Sequence, residues 1–323
     1  MVQPALAESF VFHDLQPLQG SFRADVVAGL AKPEKDLPPK YLYDSRGCEL
    51  FEKICQLAEY YPTRTETAIL HDSAKEIAQL AGEGCELIEY GSGSSRKTRM
   101  LLEALRPAAY IPVDIAREQL LRTSAELAGA YAGLKIAAVC ADYSLPLSLP
   151  DDAGGRRKLV FFPGSTIGNF VPAEAVKFMR NAAHLAGPSG GMVVGVDLKK
   201  NASTLHAAYN DAQGVTAAFN LNLLARINRE LGANFELDRF RHYAFYNAPL
   251  GRIEMHLVSA RKQTVEMPGF GATFAEGESI HTENSYKYTI EEFQFLATQA
   301  GFEPARVWMD EARQFAVHYL IVR

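Results

Sequence analysis

Cysteine is scarce in this chain. Four occur in 323 residues, Cys48, Cys55, Cys85 and Cys140, with no C-x-x-C spacing and no paired histidine motif. That pattern speaks against a disulfide framework or a cysteine metal site and favours free thiols in a reducing compartment. A basic excess is missing as well: 33 Lys and Arg stand against 38 Asp and Glu, a net charge of −5. The runs Arg96-Lys97-Thr98-Arg99 and Arg156-Arg157-Lys158 are too short for a nucleic-acid face. No apolar stretch approaches the roughly 20 residues of a membrane span. The opening MVQPALAESFVFHDL lacks a basic start and a continuous apolar core, so no signal peptide is expected. GxxxxGK[ST] is absent, which removes a P-loop nucleotide site. Internal repeats, low-complexity tracts and long exposed apolar repeats are also lacking. The expectation is a cytoplasmic monomer with no nucleic-acid partner, no membrane and no metal.

What is present begins at Cys85: CELIEYGSGSSRKTRMLLEALRPAAYIPVD. An apolar run, Leu87 to Tyr90, enters a small-residue turn, Gly91-Ser92-Gly93-Ser94-Ser95. A helical pattern follows at Met100, Leu101, Leu102 and Leu105, then a second apolar run ending in Asp114. Strand, glycine turn, helix, strand, acid is how an α/β sheet builds a nucleoside pocket. A GxG turn also occurs as a plain loop, so the neighbouring residues matter. The dinucleotide fingerprint wants a small residue three positions after its second glycine, and here that position is Arg96. Glu89 before the turn and Asp114 after it suit S-adenosyl-L-methionine, which carries a sulfonium and an ammonium and no phosphates.

The wider pattern alternates. Helices are expected at 49–57, 65–80, 96–106, 116–128 and 173–186, and strands at 86–90, 109–113, 134–138, 158–162 and 191–198. Such alternation implies a parallel sheet between helices. After Leu198 the character changes to α+β: a helix over 215–231, a strand pair at 240–248 and 252–261, and a strand at 263–266. The wound pattern resumes with helix 290–300 and strands 305–309 and 315–322. Their short connection makes the last two antiparallel. The fold class is therefore α/β, a Rossmann-like and mostly parallel sheet whose last strand is antiparallel, with a second α+β domain. The expected division is 66–199 plus 283–323 for the first domain and 1–65 plus 200–282 for the second, the first forty residues lying over the body as an arm.

Four further segments carry polar and aromatic groups. Glu59-Tyr60-Tyr61-Pro62-Thr63-Arg64, taken alone, reads as aromatic packing before a turn. Phe161-Phe162-Pro163-Gly164-Ser165-Thr166-Ile167-Gly168-Asn169-Phe170 follows a strand expected beside the first one. It is either a tight turn or a ligand loop at a carboxyl strand end. Ala208-Tyr209-Asn210-Asp211 holds a tyrosine that reads in isolation as packing. Ile280-His281-Thr282-Glu283-Asn284-Ser285-Tyr286-Lys287-Tyr288 reads as a polar, solvated loop, and a lone histidine such as His281 is more often a satisfied one than a base.

Taken together, from about Leu37 onward, the chain resembles the histidine Nα-methyltransferases of ergothioneine biosynthesis. The resemblance rests on YDSRGCELFEKICQLAEYYPTRTE, ELIEYGSGSSRKTR, PVDIAREQL, FFPGSTIGNF, GVTAAFNLNLLARINRELGANF, RIEMHLVS and the Glu-x-Ser of HTENSYKY. It implies transfer of three methyl groups from S-adenosyl-L-methionine to the α-amine of L-histidine, giving hercynine. The same transfer to another amino acid or aromatic amine, of tryptophan type, is the alternative. The resemblance also implies roles. Gly91, Lys97, Asp114, Asp142 and Tyr143 line the cofactor site, with Asp114 on the ribose and Asp142 and Tyr143 by the adenine. Asn169 and Tyr209 hold the substrate carboxylate, and the catalytic positions Tyr43 and Gly164 lie near the amine. Tyr60, Glu283 and Ser285 read the imidazole, and Met255 borders its pocket.

Overall fold

The computed structural model describes residues 10–15, 21–93, 96–149 and 155–323. The chain divides into two compact units. The first holds the described residues within 1–17, 62–199 and 287–323, and the second those within 18–61 and 200–286.

The first unit is built on an eight-stranded sheet. Its order is Phe10–Asp14, Lys135–Cys140, Ala109–Asp114, Glu86–Tyr90, Lys158–Phe162, Gly191–Asp197, Phe315–Val322 and Phe302–Met309. Neighbours are parallel up to Gly191–Asp197. Phe315–Val322 runs antiparallel to both of its neighbours, as its short connection requires. Helices Arg96–Leu105, Arg117–Ala130, Pro172–Ala186 and Ile290–Gln299 alternate with the strands. The inner strands are apolar on both faces, as a parallel sheet covered by helices demands: all seven residues of Gly191–Asp197 are buried. Glu86–Tyr90 is central, with the next strand in sequence on one side and Lys158–Phe162 on the other. The strand order therefore reverses beside it, where open α/β sheets bind ligands at their carboxyl ends.

The arm expectation fails at Phe10–Asp14. These residues pair in parallel with Lys135–Cys140, Phe10 opposite Ile136 and Asp14 opposite Cys140, and so belong to the main sheet. The segment FVFHD alternates too briefly to declare itself, and only a partner strand far along the chain gives it a ladder. Ser94 and Ser95, part of the expected turn, lie outside the described residues.

The second unit contains a four-stranded sheet ordered Lys35–Asp36, Ser279–Tyr286, Arg252–Ser259 and Phe240–Asn247, with a separate hairpin of Gln263–Met267 and Phe270–Phe274. Helix Val215–Leu231 packs one apolar stripe, Phe219, Leu223 and Ile227, into a core with Ile253, Met255 and Leu257 of the sheet. Helix Ser45–Ile54 adds Leu50 and Ile54 to the same core. In both helices an aspartate carboxylate takes up amides left without partners in the first turn, Asp44 from the N-cap of Ser45–Ile54 and Asp211 from the turn before Val215–Leu231. Asp44 Oδ1 accepts from the Gly47 amide at 2.7 Å. Asp211 accepts from the amides of Val215 and Thr216, each at 2.8 Å. The polar stretch expected as a loop at 280–288 is instead largely the Ser279–Tyr286 strand, held between two neighbours. Its hydrogen-bonding side chains disguise it, because this strand turns polar groups inward.

Candidate active site

Four carboxyl strand ends of the first unit, those of Glu86–Tyr90, Ala109–Asp114, Lys135–Cys140 and Lys158–Phe162, present residues singled out from the sequence. Gly91 follows Glu86–Tyr90 with φ 76° and Gly93 has φ 41°. Glycine adopts such conformations without strain. A Cβ on Gly91 would meet nothing within 4 Å, so the turn faces open space. Ser92 is buried, and its hydroxyl has no hydrogen-bond partner among the described residues. Asp114 ends the next strand, and its carboxylate accepts from the Ala116 amide at 2.9 Å. Burial raises its pKa, while the amides of Ala116, Gly93, Ile115 and Ser92 oppose that rise. The acid is thus held against the glycine turn.

Asp142 and Tyr143 follow the third strand of this series. Asp142 Oδ1 takes the Ser144 amide at 3.0 Å and the Ser144 hydroxyl at 2.5 Å. Tyr143 stacks on Tyr90 at 5.5 Å and meets Phe162 edge-on at 5.7 Å. Both geometries are favourable for aromatic pairs. These rings form an apolar wall beside Asp142, suited to a flat heteroaromatic group.

Behind the turn lies a carboxylate that the sequence reading missed. Glu66, on helix Tyr61–Ala81, is fully buried. Its carboxylate accepts from Lys97 Nζ at 2.5 Å and from the Gly164 amide at 2.9 Å. Room for it comes from Gly195, where a Cβ would stand 1.9 Å from Glu66 Oε1. An isolated glycine inside the strand GMVVGVD was the available signal, since strand glycines mark close approach. The contact also fixes Gly164: its amide is taken by Glu66, which leaves its carbonyl for other partners. Gly164 adopts φ 82° and Ser165 φ 57°. The Ser165 conformation is a strained one for a residue with a side chain. The turn is closed by the Ser165 hydroxyl, which accepts from the Asp197 amide at 2.9 Å. Asn169 ends the short helix Thr166–Asn169 and is half-buried.

A second buried acid, Glu89, sits at the end of the central strand. Tyr110 Oη donates to it at 2.5 Å and Thr98 Oγ1 at 2.8 Å. Burial outweighs these donors and lifts its pKa to about 8.

The second unit gathers the remaining residues. Tyr209, at the end of helix Ala202–Tyr209, donates through Oη to Ser285 Oγ at 2.8 Å. Tyr60 meets Tyr209 edge-on with centroids 6.2 Å apart. Glu283 stands opposite Met255 in register, on adjacent strands. Burial drives the Tyr60 pKa far above its ordinary value, and Tyr209, Cys55, Tyr43 and Glu283 add to the rise. Tyr43 joins the cluster through edge contacts with Phe51 at 5.6 Å and Phe219 at 5.5 Å. Tyr43, Tyr60, Tyr209, Met255, Glu283 and Ser285 therefore share one unit, and all but the half-buried Tyr43 are buried. The expectation had set Glu283 and Ser285 in the first domain, with a boundary at 283; the division by contacts falls after Tyr286. The reason is the strand itself, which pairs with Arg252–Ser259 as far as Tyr286.

A reversed strand order, an open glycine turn at its centre and an acid at the next strand end make a nucleoside-type site, and the family that the chain matches makes it an S-adenosylmethionine-dependent methyltransferase. More narrowly, the chain belongs to the family described as histidine-specific, SAM-dependent methyltransferases, whose model matches residues 22–322. It is 43% identical to the histidine N-alpha-methyltransferase of Mycolicibacterium smegmatis, covering 92% of this chain and 94% of that one. Identity to the enzyme of the same name from Mycobacterium tuberculosis is 42%, with the same coverage. Ergothioneine biosynthesis protein 1 of Neurospora crassa is 32% identical over 88% of this chain, which matches 33% of that longer protein.

Proposed function

We propose that the protein transfers three methyl groups from S-adenosyl-L-methionine to the α-amino nitrogen of L-histidine, giving hercynine as a step toward ergothioneine. The observation that carries the substrate assignment is the buried Glu283, set among Tyr60, Tyr209 and Ser285. A buried carboxylate beside hydroxyls is a costly lining for an apolar ring and a good one for an imidazole, whose ring N–H it accepts.

The residues of the first unit fit the cofactor. Open space at Gly91 admits close approach, the Ser92 hydroxyl lacks a partner among the described residues, and Asp114 offers acceptor oxygens for ribose hydroxyls. We assign Gly91, Lys97, Asp114, Asp142 and Tyr143 to cofactor binding. The cofactor supplies an electrophilic methyl group on a sulfonium. Methyl transfer needs little covalent help, so the chain's work is positioning and desolvation. Lys97, anchored by Glu66, brings a cation to the strand ends, and a nearby cation favours loss of a proton from a substrate ammonium.

In the amino-acid site we assign Tyr60, Glu283 and Ser285 to the ring, with Met255 bordering it, and Asn169 and Tyr209 to the carboxylate. Tyr43 and the Gly164 carbonyl act on the amine, Tyr43 accepting its proton through water. The second unit, by this reading, recognises the substrate and the first holds the cofactor. The chain works as a cytoplasmic monomer, a setting that suits its four free cysteines.

The test is steady-state kinetics of Glu283→Ala against wild type with L-histidine. Loss of a buried charged hydrogen bond, on the order of 3 kcal/mol, lowers kcat/KM by roughly a hundredfold. Unchanged kcat/KM with folded protein overturns the ring assignment.

A further inference from the structure

The sequence reading expected no metal, yet one side-chain cluster outside the proposed catalytic residues has the composition of a metal site. We propose that Glu254, His256 and His281 bind a divalent transition-metal ion of the zinc class on the outer face of the four-stranded sheet.

Glu254 and His256 lie two apart on the strand Arg252–Ser259 and so share a face. His281, on the neighbouring strand, stands directly opposite His256. A register shift between His281 and Glu283 then separates the two faces. Thr282 donates to Asn220 of the packed helix at 2.7 Å, and Glu283 stands opposite the buried Met255, so both point inward. His281 stays outward, half-buried, with its ring stacked on His256 at 4.7 Å and 13°. Each of the three residues offers a ligand atom, and these atoms all lie within 4.8 Å of one another. Among the described residues this is the one such group of three.

Two imidazoles and a carboxylate are the donor set of zinc and its neighbours. The supporting contacts already fix which atoms are offered. His281 Nε2 lies 3.1 Å from the Glu283 carbonyl. A carbonyl can only accept, so Nε2 carries the proton and Nδ1 keeps its lone pair. A backbone carbonyl behind the second ring nitrogen is the usual support of a metal-bound histidine. His256 Nδ1 lies 3.1 Å from the Ser279 hydroxyl. That hydroxyl can donate or accept, so His256 can move its proton from Nε2, where it faces Glu254 in the metal-free chain, to Nδ1 and then present Nε2 to an ion. Glu254 Oε2 is 3.1 Å from that same Nε2. Its other oxygen, Oε1, is anchored by Arg252 Nε at 2.8 Å and Asn247 Nδ2 at 2.9 Å. The Arg252 cation competes with an ion for the Glu254 carboxylate, which sets this site apart from a closed structural zinc. A groove of about 550 Å³, lined by Tyr243, Phe245, His256 and Ser279 among others, opens beside His256.

The test is calorimetric titration of zinc chloride into the full, chelator-treated chain, beside His256→Phe and His281→Phe. Phenylalanine keeps the ring stack and removes the ligand nitrogen. One ion per wild-type chain is expected, weakened at least tenfold in both variants, with cobalt giving a visible absorption band in wild type alone. Zinc should also raise the Tm of wild type and leave that of the variants unmoved. If either variant unfolds, Glu254→Gln, which keeps the contacts of Oε1, carries the same expectation. Absence of saturable one-to-one binding, or binding unchanged by the substitutions, overturns the proposal.

Discussion

Tyr209 donates its hydroxyl to Ser285 at 2.8 Å, so the end of one helix is tied to the strand that carries Glu283. Both partners are buried, and neither hydroxyl can find bulk water in exchange. Tyr209→Phe and Ser285→Ala should each cost about 1 kcal/mol of stability, and the double variant less than their sum. Chemical denaturation of the four proteins measures the coupling. With L-histidine, both variants should raise KM.

Glu66 is held by Lys97 and by the Gly164 amide, in space that exists only because residue 195 is glycine. Gly195→Ala drives a methyl group into that carboxylate. The expected cost is on the order of 3 kcal/mol, because the displaced ion pair stays buried. Glu66→Gln keeps the shape and removes the charge. It should lower S-adenosylmethionine affinity with little change in fold, read by cofactor titration and circular dichroism. Wild-type affinity in Glu66→Gln would mean that Lys97 needs no anchor.

Legibility in the sequence followed periodicity and punctuation. The wound strands, their glycine turn and the reversed last strand could be read because apolar runs, Gly91, Gly93 and a short final connection are local signals. Phe10–Asp14 could not, since its ladder exists only beside residues 136–140. Glu66 looked like any glutamate on a helix surface, and its burial depends on a glycine far along the chain. Glu283 and Ser285 were visible only through family resemblance. A strand that turns polar groups inward breaks the alternation that would reveal it.

His318 is fully buried on the strand Phe315–Val322, and neither ring nitrogen has a hydrogen-bond partner among the described residues. Burial lowers its pKa to about 4 from an ordinary 6.5. The folded protein keeps the ring neutral while the unfolded chain takes up a proton. This contribution to stability is therefore present above pH 6.5 and lost as pH falls toward 4, by on the order of 3 kcal/mol. His318→Leu should flatten that part of the stability profile, as measured by denaturant midpoints at pH 7, 5.5 and 4.

Glu89 has the opposite sign. Its pKa rises to about 8 from 4.5, so the folded state favours the protonated acid. Its contribution is full below pH 4.5 and lost as pH climbs through 8. Glu89→Gln, which keeps an acceptor for Tyr110 and Thr98, should make stability less pH-dependent across that window. A carboxyl infrared band titrating near pH 8 in wild type and absent in the variant would confirm the group.

The most direct measurement is mass spectrometry of the purified chain incubated with S-adenosyl-L-methionine and an equimolar mixture of the twenty amino acids. A three-methyl increment on histidine alone is the expected result. Methylation of a different amino acid, with histidine untouched, would contradict the substrate assignment built on Glu283.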